Sequence, residues 1–398
     1  MMSNVPRDEA LKGASNIVAL LSQGSDPFIS EEARVQALQA ANLVVRALEK
    51  PEDGLMKLAY SPAICMAIRV CMQLNVFGMV TKNETISAAE IAKQANADEV
   101  LIRRFLRVLT ASGYVAEHGN GLYGPTRWTE HFNSRAAQGM IKFIYDASMQ
   151  PIAQGPNWFK EFGYQNPVDP QRGMVQIANH TDLPTFKWLT VPENKELWDH
   201  ANTFFEGDRG SRPSWLAWFP AKEHFFPEGH QRETPLLVDV AGGRGHDLLE
   251  FLAKYPDEAG PFVLQDQKPV LDSAPSLPPK VTKQPFDLFM DSPVEGARIY
   301  FMKFILHDYM DDQCIQILQN VKTSMVKGYS YLVINDFIIP ETGCGLLQSE
   351  WDLMMMVLLS SMERTESQWR TLLESAGFSI EGVYNPVGDG QGIIVAAL

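Results

Sequence analysis

The run Val238-Asp239-Val240-Ala241-Gly242-Gly243-Arg244-Gly245 passes from apolar residues into a glycine-rich turn. At the end of a strand, glycines let the backbone approach a ligand that a Cβ would hold off. A bound cofactor is one reading of such a turn, and a tight strand-to-helix connection with no ligand is the other. Asp266 favours the cofactor. It sits just past the next apolar run, Phe262–Gln265, where an acid in nucleotide-binding α/β folds accepts hydrogen bonds from ribose hydroxyls.

The elements that must position these residues are legible as a rhythm. Leu236–Val240 reads as a strand, Gly245–Tyr255 as a helix and Phe262–Gln265 as a strand. Further strands are expected at Ile299–Ile305 and Tyr331–Ile338, with helices at Asp312–Met325 and Ser367–Ser375. Alternating β and α text predicts an α/β, Rossmann-like domain with a mostly parallel sheet covered on both faces. Phe378–Val383 and Gly392–Ala397 read as a closing hairpin.

Ahead of this domain, Ser87 and Glu90 have the spacing of a capping box that opens a short helix. A second amphipathic helix is expected to carry Val100, Leu101, Phe105, Val108 and Leu109 on one face, with Arg103, Arg104 and Arg107 largely on the other. Gly113 ends it, and a hairpin turns at His118-Gly119-Asn120-Gly121. Helix, helix, hairpin is a mainly α, winged-helix pattern. The expected division is therefore a winged-helix domain over residues 1–135 and an α/β domain over 136–398, entered through a helical bridge rich in aromatic residues.

At 398 residues, with 45% hydrophobic and 21% charged residues, the chain has the balance of a globular protein of two domains. A formal net charge of −14 disfavours nucleic acid, whose phosphates demand clustered Lys and Arg. Arg103, Arg104 and Arg107 are the one basic group on a plausible recognition helix, so a DNA-binding regulator stands as a weak alternative. Cys65, Cys71, Cys314 and Cys344 have no metal-ligand spacing, and no metal is expected. A reducing cytosol suits such cysteines. The most apolar stretch, Leu58–Val80, is interrupted by Pro62, Arg69, Gln73 and Asn75, so a buried or interface helix is expected rather than a membrane span. Together with Ala14–Leu21 and Val35–Leu48 it carries more apolar surface than one small domain covers, which points to a homodimer.

Three segments, VDVAGGRGHD, YFMKFILHDY and SMERTESQWRTLLESAGF, resemble in order and spacing the plant-type and fungal small-molecule O-methyltransferases. The resemblance implies a class I methyltransferase fold, a dimer formed through the N-terminal domain, and methyl transfer from S-adenosylmethionine to a hydroxyl of a small, often phenolic, acceptor. It puts Asp239, Gly242, Gly243 and Asp266 in the cofactor site, the glycines under the amino-acid part and Asp266 on the ribose. It also puts Asp287 and Leu288 beside the adenine and makes Lys303 a further cofactor contact. His307 falls at the family's general base, followed by Asp308, and Asp336 and Glu363 fall at two acids that hold that histidine. The chain departs from the family in Ala241 for a glycine, Tyr309 for a tryptophan, and Asp336 for the longer glutamate.

The chemistry explains these residue types. A phenol titrates at about 10 and is a poor nucleophile at neutral pH until a base removes its proton. An imidazole backed by a carboxylate does this: the acid fixes the tautomer and stabilises the imidazolium formed. Other readings stay open. Lys303 could be a solvated strand-end lysine, Asp287 could cap a turn, and Glu363 could serve the positive end of the helix opened by the capping pair Thr365 and Gln368. The Met-rich helix Trp351–Met362 and the aromatics from Trp188 to Phe219 could be core or acceptor pocket. Some relatives of such enzymes use the cofactor's charge for cyclisation or pericyclic rearrangement, a second reading of the same fold.

Overall fold

A computed structural model describes residues 7–22, 30–206, 214–226, 234–257 and 260–398. The chain divides into two compact units, Met1–Gln138 and Gly139–Leu398.

The first unit opens with two helices, Arg7–Leu21 and Glu31–Leu48. They approach closely because Gly13 has no side chain: a Cβ there would run into Val44 and the Ala40 carbonyl. The next helix, Pro51–Gln73, starts with Pro51 in the first turn, where a missing N–H costs nothing. By length and composition it could cross a membrane. Its buried residues, Ala67, Ile68, Cys71 and Met72, lie near its C-terminal end, while Leu55, Met56, Leu58 and Tyr60 are exposed.

The winged-helix part follows. Ser87 Oγ accepts the Glu90 N–H at 3.1 Å, whereas the Glu90 carboxylate takes Gln94 Nε2 at 3.0 Å, so only one half of the expected capping box forms. The helix Glu99–Ala111 buries Ile102, Leu106 and Leu109. This corrects the expected face in part: Leu109 is buried as expected, whereas Val100 and Leu101 are exposed. The sequence carries two apolar stripes at helical spacing, and only packing chooses between them. Three short strands, β1 (Ile86–Ser87), β2 (Ala116–Glu117) and β3 (Leu122–Gly124), form an antiparallel sheet in the order β1-β3-β2. The β2–β3 turn holds Gly119, Asn120 and Gly121 at positive φ.

The second unit is built on seven strands: β4 (Leu237–Val240), β5 (Phe262–Asp266), β6 (Val281–Pro285), β7 (Ile299–Lys303), β8 (Tyr331–Asp336), β11 (Ser379–Tyr384) and β12 (Gly392–Ala397). A separate pair is formed by β9 (Ile338–Ile339) and β10 (Arg364–Thr365). The large sheet runs β11-β12-β8-β7-β4-β5-β6, parallel from β8 through β6, with β12 antiparallel to both its neighbours. The strands β4, β7 and β8 are almost continuously buried, as expected of a sheet covered on both faces. One face turns Val238, Val240, Tyr300, Met302, Leu332 and Ile334 into a core shared with Ile317, Val321, Trp369 and Leu372. The other turns Leu237, Phe301 and Val333 onto Trp215, Phe219, Leu248 and Phe251.

The open readings of the apolar bridge resolve by position. Trp215 and Phe219 are core against the sheet. Phe143, Val175, Ala201 and Phe204 form a second core with Leu358 of the Met-rich helix, at whose edge lie Trp188, Trp351 and Met354.

Candidate active site

The strand order reverses between β4 and β7, with β5 and β6 on one side and β8 and β12 on the other. At such a switch point the loops leaving the two strands diverge, and a crevice opens at their carboxyl ends. The glycine turn leaves β4 and the histidine loop leaves β7, so topology alone brings them together.

The turn is strongly bent: Ala241, Gly243 and Gly245 have φ of 55°, 61° and 85°. A left-handed alanine costs about 1 kcal/mol, strain that a glycine there would not carry. A Cβ on Gly242 would overlap the buried Asp239 carboxyl group, whereas a Cβ on Gly243 would meet no atom of the described residues within 4 Å. The Gly243 N–H donates to Asp266 Oδ2 at 2.8 Å and the Gln267 N–H to Oδ1 at 2.6 Å. Burial pushes the Asp266 carboxyl up to about 6, against the two N–H donors that favour its charge. An ionised carboxylate has about four lone-pair directions, so both oxygens can still accept from a ligand. An open glycine floor beside such a carboxylate fits a ribose-bearing cofactor.

Around this floor, Lys303 at the end of β7 pairs with Asp247 in the first turn of the helix His246–Lys254, so it is not a free solvated lysine. Asp287 caps a turn, its Oδ1 accepting the Phe289 N–H at 2.9 Å. It also lies close enough to act on Tyr309, whose hydroxyl is pushed up first by burial and then by the charges of Asp308, Cys314, Asp266 and Asp287. Leu288 packs against the main core and its carbonyl accepts Asn320 Nδ2 at 2.9 Å.

His307 lies in a 3-10 turn, Leu306–Asp308, and is 4% exposed. Its Nδ1 is 2.6 Å from Glu363 Oε1, and its Nε2 is 3.3 Å from Asp308 Oδ1. Of the two acids expected behind the ring, Glu363 is therefore the one on Nδ1. Asp336 is buried at the end of β8, near enough to add to the burial that pushes the Cys314 thiol up to about 12. Glu363 does not serve the following helix, whose first-turn acid is Glu366 and whose capping box of Thr365 and Gln368 is complete. Burial holds the Glu363 carboxyl well above the usual range, Asp352 adds to this and Arg364 opposes it. Among the described residues Glu363 Oε2 meets no hydrogen-bond partner.

Residues 230–379 match the model of the O-methyltransferase domain, and residues 56–134 that of the O-methyltransferase dimerisation domain. The O-methyltransferase penC of Penicillium thymicola is 32% identical over 368 residues, 92% of each chain. The chain belongs to the O-methyltransferase family. It is thus an S-adenosylmethionine-dependent enzyme, and the fold agrees: the structure of LepI in complex with S-adenosylmethionine matches with a TM-score of 0.88 at 26% identity, covering 98% of this chain and 100% of that one. A structure described as a pericyclic reaction enzyme matches with a TM-score of 0.87 at 26% identity over the same shares.

Within this methyltransferase, the sequence leaves unmarked several residues beside His307, apart from Trp351, which opens the Met-rich helix read above as core or acceptor pocket. Phe304 sits at φ 54°, a conformation rare for a bulky residue. Its ring lies 5.1 Å from His307 and stacks on Trp351 at 5.7 Å, while Phe337 meets Trp351 edge-on at 5.3 Å. No sequence period marks this group, because its members come from the ends of β7 and β8 and from the helix Leu346–Leu359. Arg364 was readable only as a charge beside Glu363, yet it is fully buried.

Proposed function

We propose that the enzyme methylates a phenolic hydroxyl on an aromatic or polycyclic small molecule, a secondary metabolite, with His307 as general base. The observation that carries this reading is the buried 2.6 Å contact of His307 Nδ1 with Glu363 Oε1 beside the rings of Phe304 and Trp351. Aromatic walls favour a flat apolar acceptor by area and by ring geometry.

Gly242, Gly243, Asp239 and Asp266 would hold the cofactor, with Asp287 and Leu288 beside the adenine and Lys303 as a further contact. When bound, S-adenosylmethionine supplies a methyl carbon already activated by a sulfonium, so the reaction calls for alignment rather than a metal. His307 takes the hydroxyl proton at Nε2 while its Nδ1–H keeps donating to the Glu363 carboxylate. The carboxylate fixes that tautomer and stabilises the imidazolium. Burial disfavours a lone Glu363 anion, and a positive charge formed on the neighbouring ring offsets that cost. Asp336 is a second acid near the loop, acting by its charge. The phenylalanine rings keep water from the proton-transfer step.

Incubation with S-adenosylmethionine and a panel of hydroxylated aromatics should give S-adenosylhomocysteine in one-to-one stoichiometry with methylated product. Substrate turnover without S-adenosylhomocysteine would instead favour the second reading, a cofactor-assisted rearrangement, which is motivated by the likeness to a pericyclic reaction enzyme. His307 with its acid favours transfer, since a rearrangement has less need of a hydroxyl-deprotonating pair.

We also infer a homodimer in the cytosol. Leu58 and Tyr60 are 72% and 71% exposed within the segment matching the dimerisation domain, a face that water alone would not favour. Light scattering should return about twice the 44.6 kDa chain mass. A single-chain mass across micromolar concentrations would contradict it.

A further inference from the structure

The loop that carries His307 is held by one buried cation. Arg364 is 0% exposed, and its Nη1 donates to the Leu306 carbonyl at 2.9 Å while its Nη2 donates to the Tyr309 carbonyl at 2.8 Å. These two carbonyls bracket His307 and Asp308. Its Nε donates to Asp311 Oδ1 at 2.9 Å, and the guanidinium lies over the Trp369 ring at 5.3 Å. Trp369 Nε1 in turn donates to the Phe337 carbonyl at 3.1 Å, next to Asp336.

Arg364 directly follows Glu363 and pairs in β10 with Ile338 of β9. Consecutive residues of an extended strand point to opposite sides, so Glu363 can meet the imidazole while Arg364 meets the backbone that carries it. We propose that Arg364 is a positioning residue for the base: it clamps the 3-10 turn so that His307 Nδ1 stays on Glu363, and both ends of His307 are referenced to one dipeptide. This rests on the reading of His307 as the base. The planar fork suits the task because several N–H donors are fixed in one plane, which a lysine cannot reproduce. A loss of alignment of about 1 Å at a reacting group costs on the order of 100-fold in rate.

The test uses the full-length enzyme with Arg364→Lys, which keeps the charge and loses the fork, and Arg364→Met, which loses both. Both should lower kcat by about 10–100-fold, with the KM for the acceptor and the cofactor affinity changed by less than about threefold. Removing the cation should also move the midpoint of the kcat–pH profile upward in Arg364→Met only, because the neighbouring positive charge favours the ionised form of the Glu363 carboxyl. A merely structural role would lower the amount of folded enzyme and leave that midpoint in place. Long-range proton–nitrogen NMR of the cofactor-free protein gives a readout independent of turnover: the strongly hydrogen-bonded Nδ1 proton of His307 should shift or vanish in Arg364→Lys. Should the Arg364 variants fail to fold, Asp311→Asn removes the charge that holds the guanidinium edge. Its Asp311 side chain is 60% exposed, and the same NMR signal should shift with kcat down by about 2–5-fold.

Native kcat and Nδ1 signal in Arg364→Lys, or in Asp311→Asn where that variant stands in, would overturn the clamp. His307→Ala measured alongside separates the two ideas: a fully active His307→Ala removes the base, whereas an inactive one beside a native Arg364→Lys removes only the clamp.

Discussion

His307→Ala should lower methyl transfer by about 10²–10⁴-fold, the usual range for loss of a general base, while calorimetric titration finds S-adenosylmethionine bound nearly as tightly as before. The two effects separate because the glycine floor and Asp266 leave β4 and β5, whereas the imidazole sits on the loop after β7 and faces Glu363 and Asp308. Glu363→Gln keeps a hydrogen-bond acceptor on Nδ1 but removes the charge that stabilises the imidazolium, so its loss should be smaller. In the wild type kcat should rise with pH as the Glu363 carboxyl, held above the usual range by burial, loses its proton and can stabilise the imidazolium. Full activity of His307→Ala on the native acceptor would end the assignment. Activity confined to a very acidic phenol would not, since that acceptor is already ionised at neutral pH and needs only positioning.

Asp266→Ala should weaken cofactor binding by about 10–150-fold, corresponding to about 1.5–3 kcal/mol for hydrogen bonds to a charged group. The variant removes more than the proposed ribose contact, because the carboxylate also takes the Gly243 and Gln267 N–H groups and so shapes the floor itself. Affinity should depend on pH as well. Burial raises the Asp266 carboxyl to about 6, so the anion that accepts all these hydrogen bonds is present above about 6 and is lost as pH falls through that value. Binding measured at pH 7.5 should therefore be tighter than at pH 5. In Asp266→Asn, with nothing to titrate, that difference should vanish. Equal wild-type affinity at the two pH values would contradict a carboxylate in this role.

How far the sequence reached differs between elements for reasons of range. Strands β4, β5, β7, β8 and the closing hairpin were legible because each is a short apolar run bounded by turn residues. Strand β6, with mostly exposed residues and Pro285 at its end, carries no such pattern and was not foreseen. The two-residue pair β9–β10 is too short to have one. On the helix Glu99–Ala111 the expected face shares Leu109 with the buried one, but Ile102 and Leu106 repeat at helical spacing as well as Leu101 and Val108 do, and only packing chooses between them.

Local physics writes some parts directly into the chain: a glycine turn that admits close approach, an acid one strand further on, the capping box of Thr365 and Gln368, and a histidine with acids downstream. Which parts meet depends on how the whole chain packs. Glu363 rather than Asp336 reaches Nδ1, from 56 residues away; Lys303 finds Asp247 across a similar separation of 56; and Arg364 closes on the Leu306 and Tyr309 carbonyls. Residue spacing along the chain holds no record of such pairings. They are chosen by strand order and by the requirement that buried charges and carbonyls find partners, which is a property of the packed molecule as a whole.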